Sequence, residues 1–171
     1  DNIRIVSTYD CVGLFGNVRG DGVISNLGVT NAHVEGNSRV GILAGRYEGT
    51  QISNCFTTGA VHGIGVFTGG LVGYAEDSSE GIVECYSDAN IFGSTYAGGL
   101  MGWNQNGLVQ NCYSTSSVNG TQRLGGLIAC NFYDGVIDRC YSTGLVTASL
   151  GQYVGGLLYT NRGVVMDCFY D

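Results

Sequence analysis

Asn106-Gly107-Leu108-Val109-Gln110-Asn111-Cys112-Tyr113-Ser114-Thr115-Ser116-Ser117-Val118 decides the fold, because close copies of it recur on both sides at nearly constant spacing. The copies around Cys55, Cys85, Cys140 and Cys168 share its cysteine-aromatic pair, and Leu27 holds the cysteine position in a weaker first copy. A second anchor marks each repeat: Gly13-Leu14-Phe15-Gly16, Gly41-Ile42-Leu43-Ala44, Gly70-Leu71-Val72-Gly73, Gly99-Leu100-Met101-Gly102, Gly126-Leu127-Ile128-Ala129 and Gly156-Leu157-Leu158-Tyr159. Its second residue recurs at intervals of 28, 29, 29, 27 and 30. A period of about 20 to 50 residues marks a solenoid, a propeller or an array.

Each repeat holds three short extended segments: the Gly-Leu anchor, an Ile/Val segment leading to the cysteine, and the segment from cysteine to valine. Three short strands and their turns consume ~28 residues, one coil of a three-sided solenoid, whereas a propeller blade needs ~40 or more. The links between anchor and cysteine, such as Tyr74-Ala75-Glu76-Asp77-Ser78-Ser79-Glu80, are polar and read as loops. Composition agrees: no proline, 30 glycines, 12% charged residues, and no apolar stripe at helical spacing. The expectation is an all-β, three-sided parallel β-solenoid of about six coils with essentially no helix, forming one domain over residues 1–171.

Parity places the side chains. Ile52, Ile82, Val109, Ile137 and Val165 lie three residues before their cysteines, an odd spacing, so the chain must bend if both rows face inward. The residue before cysteine, Asn26, Asn54 or Asn111 in three copies, suits a left-handed corner; Glu84, Arg139 and Asp167 stand there in the others. Beyond the corner Cys112, Ser114, Ser116 and Val118 alternate with Tyr113, Thr115 and Ser117. The small series fits a narrow interior, which turns Phe56, Tyr86, Tyr113, Tyr141 and Phe169 outward as an aromatic row flanked by Thr58, Asp88, Thr115 and Thr143. The alternative is that the rings turn inward or seal a corner.

Five of the seven cysteines share one repeat position and read as small hydrophobes in a stacked row. Neighbouring rungs would set their Cα atoms ~4.8 Å apart, but parallel Cβ vectors disfavour disulfides between them. Cys11 and Cys130 lie outside the row. Without C-x-x-C or clustered Cys and His, no zinc site is expected.

The Gly-Leu-hydrophobic-Gly anchors followed by Asn-Cys-Tyr-Ser-Thr resemble the GLUG motif repeats of bacterial surface and secreted proteins. The resemblance covers nearly the whole chain and is strongest from Gly69 to Tyr141. It implies an extended, non-catalytic region of an adhesin-like protein, or one that accompanies the catalytic domain of an IgA-specific metallopeptidase.

No H-E-x-x-H, G-x-S-x-G or phosphate loop is present, and Gly63-Ile64-Gly65 reads as a turn. His33, Glu35 and His62 fall near one another in adjacent coils, as a solvated edge rather than a metal site. Asp77, Glu80, Glu84 and Asp88 are the carboxylates a glycosidase-like reaction would need. Asp134, Asp138 and Asp167 lack a calcium-loop pattern. The threonine row suits an ice-binding face only poorly, since Asp88 interrupts it. A net charge of −7 with seven basic residues excludes a nucleic-acid partner. Apolar runs of about five residues are too short to insert in a membrane. Ile3–Val6 look like the last strand of a preceding coil and neither end carries a cap, so the polypeptide is expected to continue beyond both ends.

The sequence thus points to a non-enzymatic rigid stalk or adhesion surface, extracellular or on a bacterial cell surface. It needs no cofactor or metal, and Phe56, Tyr86, Tyr113, Tyr141, Thr115 and Thr143 are the candidate contacts to a host protein or glycan. The runner-up is a carbohydrate-binding or lyase/glycosidase-like β-helix module.

Overall fold

The computed structural model describes residues 2–150 and 153–171, and among them every regular element is a strand. The strands form three parallel sheets that the chain visits in turn, one coil after another. The anchor wall stacks Phe15–Arg19, Ala44–Glu48, Val72–Glu76, Met101–Gln105, Ile128–Phe132 and Leu158–Asn161. The short wall stacks Val23–Ser25, Gln51–Ser53, Gly81–Val83, Leu108–Gln110, Val136–Asp138 and Val164–Met166. The broad wall follows the cysteine and includes Phe56–Gly69, Tyr86–Gly98, and Tyr113–Ser114 with Ser117–Gly125. The fold is a three-sided β-solenoid of about six coils.

Each wall carries its own inward column. Ile24, Ile52, Ile82, Val109 and Ile137 stack in the short wall, and Val34, Val61, Ile91 and Val118 in the broad wall, all buried and in register. Leu43, Leu71, Leu100 and Leu127 fill the anchor side. Each such side chain contributes ~1.5–3 kcal/mol of burial. The glycine that opens an anchor is dictated by space: a Cβ on Gly99 or Gly126 would collide with the Ser114 or Ser142 hydroxyl and with backbone of the next coil. The interior is not wholly apolar. Asn104 and Asn131 are buried, and each Nδ2 donates to the Oδ1 of the asparagine one coil on, Asn131 and Asn161, at 2.8 Å.

The corners are rows of left-handed residues. The position before the cysteine has a positive φ in all six coils: Asn26 54°, Asn54 50°, Glu84 55°, Asn111 52°, Arg139 49° and Asp167 48°. The bend inferred from parity is therefore present even where glutamate, arginine or aspartate occupies it. A second row, Cys11, Arg39, Phe67, Tyr96, Arg123 and Tyr153, has φ between 54° and 68° and turns the broad wall into the anchor wall. A left-handed residue other than glycine costs ~1–2 kcal/mol, so stacking must hold these bulky residues in place.

Two sequence readings are corrected. In the second coil Ala44 pairs with Val72 and with Phe15, so Leu43 is the counterpart of Leu14 and Leu71, and the anchor is Ile42-Leu43-Ala44-Gly45. Glycines at both 41 and 45 made the frames look alike, and the pairing of Ala44 with Val72 selects the later one. The segment after the cysteine also runs past its valine, and Gly63-Ile64-Gly65 lies within the strand Phe56–Gly69 rather than in a turn.

Candidate functional site

The corner sets up everything that follows it. Left-handed geometry interrupts the regular ladder, and the cysteine sulfur restores its hydrogen bonds. The amides of Cys55, Cys85, Cys112 and Cys140 each donate to the sulfur of the next cysteine at 3.4 Å. Each thiol in turn lies over carbonyls, Cys112 Sγ at 3.2 Å from Gln110 O and 3.4 Å from Ile82 O. All seven cysteines are free. Burial lifts the Cys112 thiol well above the ordinary thiol range, and it stays protonated and a donor.

One residue on, the aromatic row points outward, beside inward Thr57, Ser87, Ser114 and Ser142, which are fully buried. Phe56, Tyr86, Tyr113, Tyr141 and Phe169 form one column with centroid separations of 5.1, 4.8, 4.9 and 5.0 Å and interplanar angles of 6°, 5°, 3° and 5°. Such stacking covers both faces of the three tyrosines, leaving ring edges and hydroxyls to solvent. Burial, with Tyr86 and Tyr141 adjacent, raises the Tyr113 phenol above its usual value. Thr115 and Thr143 are exposed beside the column, as is Asp88; Thr58 is half-buried and accepts from the Asn31 amide at 3.0 Å.

The repeat unit is one full circuit. Gly93 and Gly120 are paired in register one coil apart, and residues 93–119 and 120–148 each match the family model of the GLUG motif. Residues 93–148 thus carry two GLUG repeats. Each motif copy begins in the broad wall, passes through the anchor and short walls, and returns to the broad wall one rung on. Halomucin of Haloquadratum walsbyi is 44% identical over 73 residues, which is 43% of this chain and 1% of Halomucin. The matched stretch therefore corresponds to a very small part of that relative's length. No solved structure matches.

The remaining candidates are dispersed around the coil. Asp77 lies at the corner after the anchor wall and accepts from Asn106 Nδ2 at 2.7 Å; Glu84 lies at the corner before the broad wall; Asp88 faces out from the broad wall itself. The Glu80 amide donates to Thr50 O at 3.0 Å. Asp138 is buried, bound by Gln110 at 2.8 Å and by Arg139 at 3.0 Å; Asp134 and Asp167 are exposed. His33 hydrogen-bonds Glu35 and thereby holds its carboxyl below the usual range, while His62 pairs in register with Glu35. Among the described residues no three His, Cys, Asp or Glu form a metal-binding group.

Sequence reasoning missed a second aromatic surface where the broad wall meets the anchor wall. Phe67 and Tyr96 of the corner row pack on Trp103 at 5.1 and 5.6 Å, and Trp103 stacks on Phe132 at 4.4 Å. Arginines lie over these rings: Arg123 over Tyr96 at 5.1 Å and Arg162 over Phe132 at 4.8 Å. The signal was one aromatic or arginine two residues before each anchor glycine pair, hidden because corners are ordinarily sought as Gly, Asn and Asp.

Proposed function

We propose that this chain is a non-catalytic repeat region of an extracellular or cell-surface protein, a rigid stalk whose walls offer surface for adhesion. The observation that carries the reading is the parallel ring column: five rings from successive coils lie within 6° of parallel between neighbours, at near-constant spacing. A row of that regularity needs coils that neither slip nor splay, which is the property of a spacer. GLUG motifs and the partial likeness to Halomucin support a surface setting. The scatter of Asp77, Glu84 and Asp88 over different sides of the coil supports a non-catalytic role, because acid–base hydrolysis needs its carboxylates on one face. Two measurements test this. Small-angle scattering should give a stiff rod lengthening by ~4.8 Å per coil; a compact or flexible profile refutes the stalk. A host-matrix protein array should lose signal with a folded Tyr86, Tyr113 and Tyr141 triple alanine variant if the column's edge is adhesive, and an unchanged signal removes that surface.

A further inference from the structure

The broad wall pinches inward partway along. Gly63, Gly93 and Gly120 pair in register there, and a Cβ on Gly93 would meet the Ala97 methyl at 2.5 Å inside the coil. The side chains on both sides of this glycine row stand outward, so the row becomes the floor of a groove. One rim is Phe92, Asn119 and Thr147, and the other is Ser94, Thr121 and Ser149. The groove crosses four coils and has a volume of about 510 Å³, within the range of small-molecule and oligosaccharide sites.

Its chemistry combines free hydroxyls with exposed apolar groups. At the corners and on the short wall, outward polar side chains are tied to the neighbouring coil: Asn37 to Asp10 at 2.9 Å, Asn106 to Asp77 at 2.7 Å, Gln110 to Asp138 at 2.8 Å. In the groove the hydroxyls of Ser94, Thr121, Thr147 and Ser149 and the amide of Asn119 bond to no other described residue. Beside these uncommitted donors and acceptors stand two exposed apolar groups, Phe92 at 49% and Ile64 at 63%. The edge contact of His62 with Phe92, at 6.4 Å and 76°, fixes the orientation of the phenyl ring. Among the described residues no carboxylate or guanidinium lines the groove, although the chain carries 14 acidic and seven basic residues.

We propose that this groove binds a neutral, β-linked polysaccharide laid along the solenoid axis, with Phe92 against a pyranose face and the two polar rims meeting sugar hydroxyls. A charged ligand would meet no carboxylate or guanidinium here, His62 being the one ionisable side chain among the described lining residues. An extended peptide would need free main-chain donors and acceptors, and those of the floor are spent on the ladders between coils. One rung, ~4.8 Å, is close to the advance of one β-linked hexose, so successive sugars meet equivalent positions. The proposal deepens the adhesive half of the functional reading and is independent of the stiffness of the column.

Calorimetric titration of the chain with neutral β-1,4-linked hexasaccharides of glucose, mannose and N-acetylglucosamine tests it, with a uronate hexasaccharide and an extended neutral peptide as controls. At least one neutral hexasaccharide should bind. Phe92→Ala and Asn119→Ala should each weaken it about tenfold or more, with melting temperatures unchanged because both side chains are outward. Val23→Ala, exposed on the short wall and outside the groove, should bind as the parent does. The proposal is overturned if no neutral hexasaccharide binds, if binding survives both groove variants, or if only the uronate or the peptide binds. Scattering on the same samples reports the column separately, so loss of binding from an intact rod condemns the groove and not the stalk.

Discussion

At the scale of single residues, the corner is where sequence and strain meet. Cys112 lies at the junction of three demands: it is buried, its sulfur accepts from the Cys85 amide, and its thiol faces two carbonyls. Cys112→Asp buries an unpaired charge against those carbonyls and should cost more than ~3 kcal/mol in urea denaturation. Cys112→Ser keeps a donor and an acceptor and should cost only ~1 kcal/mol. Equal losses in the two variants would mean that the sulfur serves only as bulk. Glu84 offers the opposite test. It adopts φ 55° with an exposed side chain, and asparagine holds the same position in three other coils. Glu84→Asn should therefore stabilise by ~0.5–1 kcal/mol, and a lowered urea midpoint would show that the corner is not under strain.

At the scale of elements, the walls differ in how far they could be read from sequence. After the cysteine the alternation of small and large residues is strict, and the structure follows it side chain by side chain: Ser114 and Ser116 are buried, Tyr113 and Thr115 are not. The anchor wall was less legible because glycines at 41 and 45 allow two frames and only pairing with Val72 selects one. The arginine-aromatic surface went unread because its corner positions hold aromatic residues and arginine where Gly, Asn or Asp is ordinarily sought. Two predictions belong here. Tyr113→Ala removes a ring stacked on both faces and should cost ~1–3 kcal/mol, while Tyr113→Phe should be nearly neutral, since the stack rather than the hydroxyl is what the column uses. A ring column without energetic weight would make the alanine variant as stable as the parent. On the outer face of the anchor wall, burial pushes the Cys130 thiol from 9.0 up to about 12, and burial followed by Glu76 pushes the Tyr74 phenol from 10.0 up to about 12. Both folded-state values are raised, so the stabilisation is complete below the unfolded values and is lost as pH climbs through the folded ones. The urea midpoint should hold steady up to about pH 9 and fall between there and about 12. A flat profile would mean that the fold does not shelter these protons.

At the scale of the whole molecule, stability is a sum over coils and the contacts between neighbours, because side chains stack chiefly on their counterparts one rung away. That makes an excision informative. Glu84 and Asn111 occupy the same corner with φ 55° and 52°, and the Glu84 amide donates to Gln110 O at 3.0 Å, in the rung relation shared by Asn26, Asn54, Asn111 and Arg139. Deleting residues 85–111 joins Glu84 to Cys112 and removes one circuit without creating a new kind of junction. The short-wall column closes up isoleucine on isoleucine, Ile82 over Ile137 with Val109 gone, and the ring column closes Phe56 on Tyr113 with Tyr86 gone. The shortened chain should fold to the same circular dichroism per residue, melt at a lower temperature, and be shorter by ~4.8 Å along its axis in scattering. A globular domain with one shared core would unfold on losing a block of that size from its middle. An unfolded product would therefore show that the coils depend on contacts well beyond their neighbours, and with that the modular stalk would lose its physical basis.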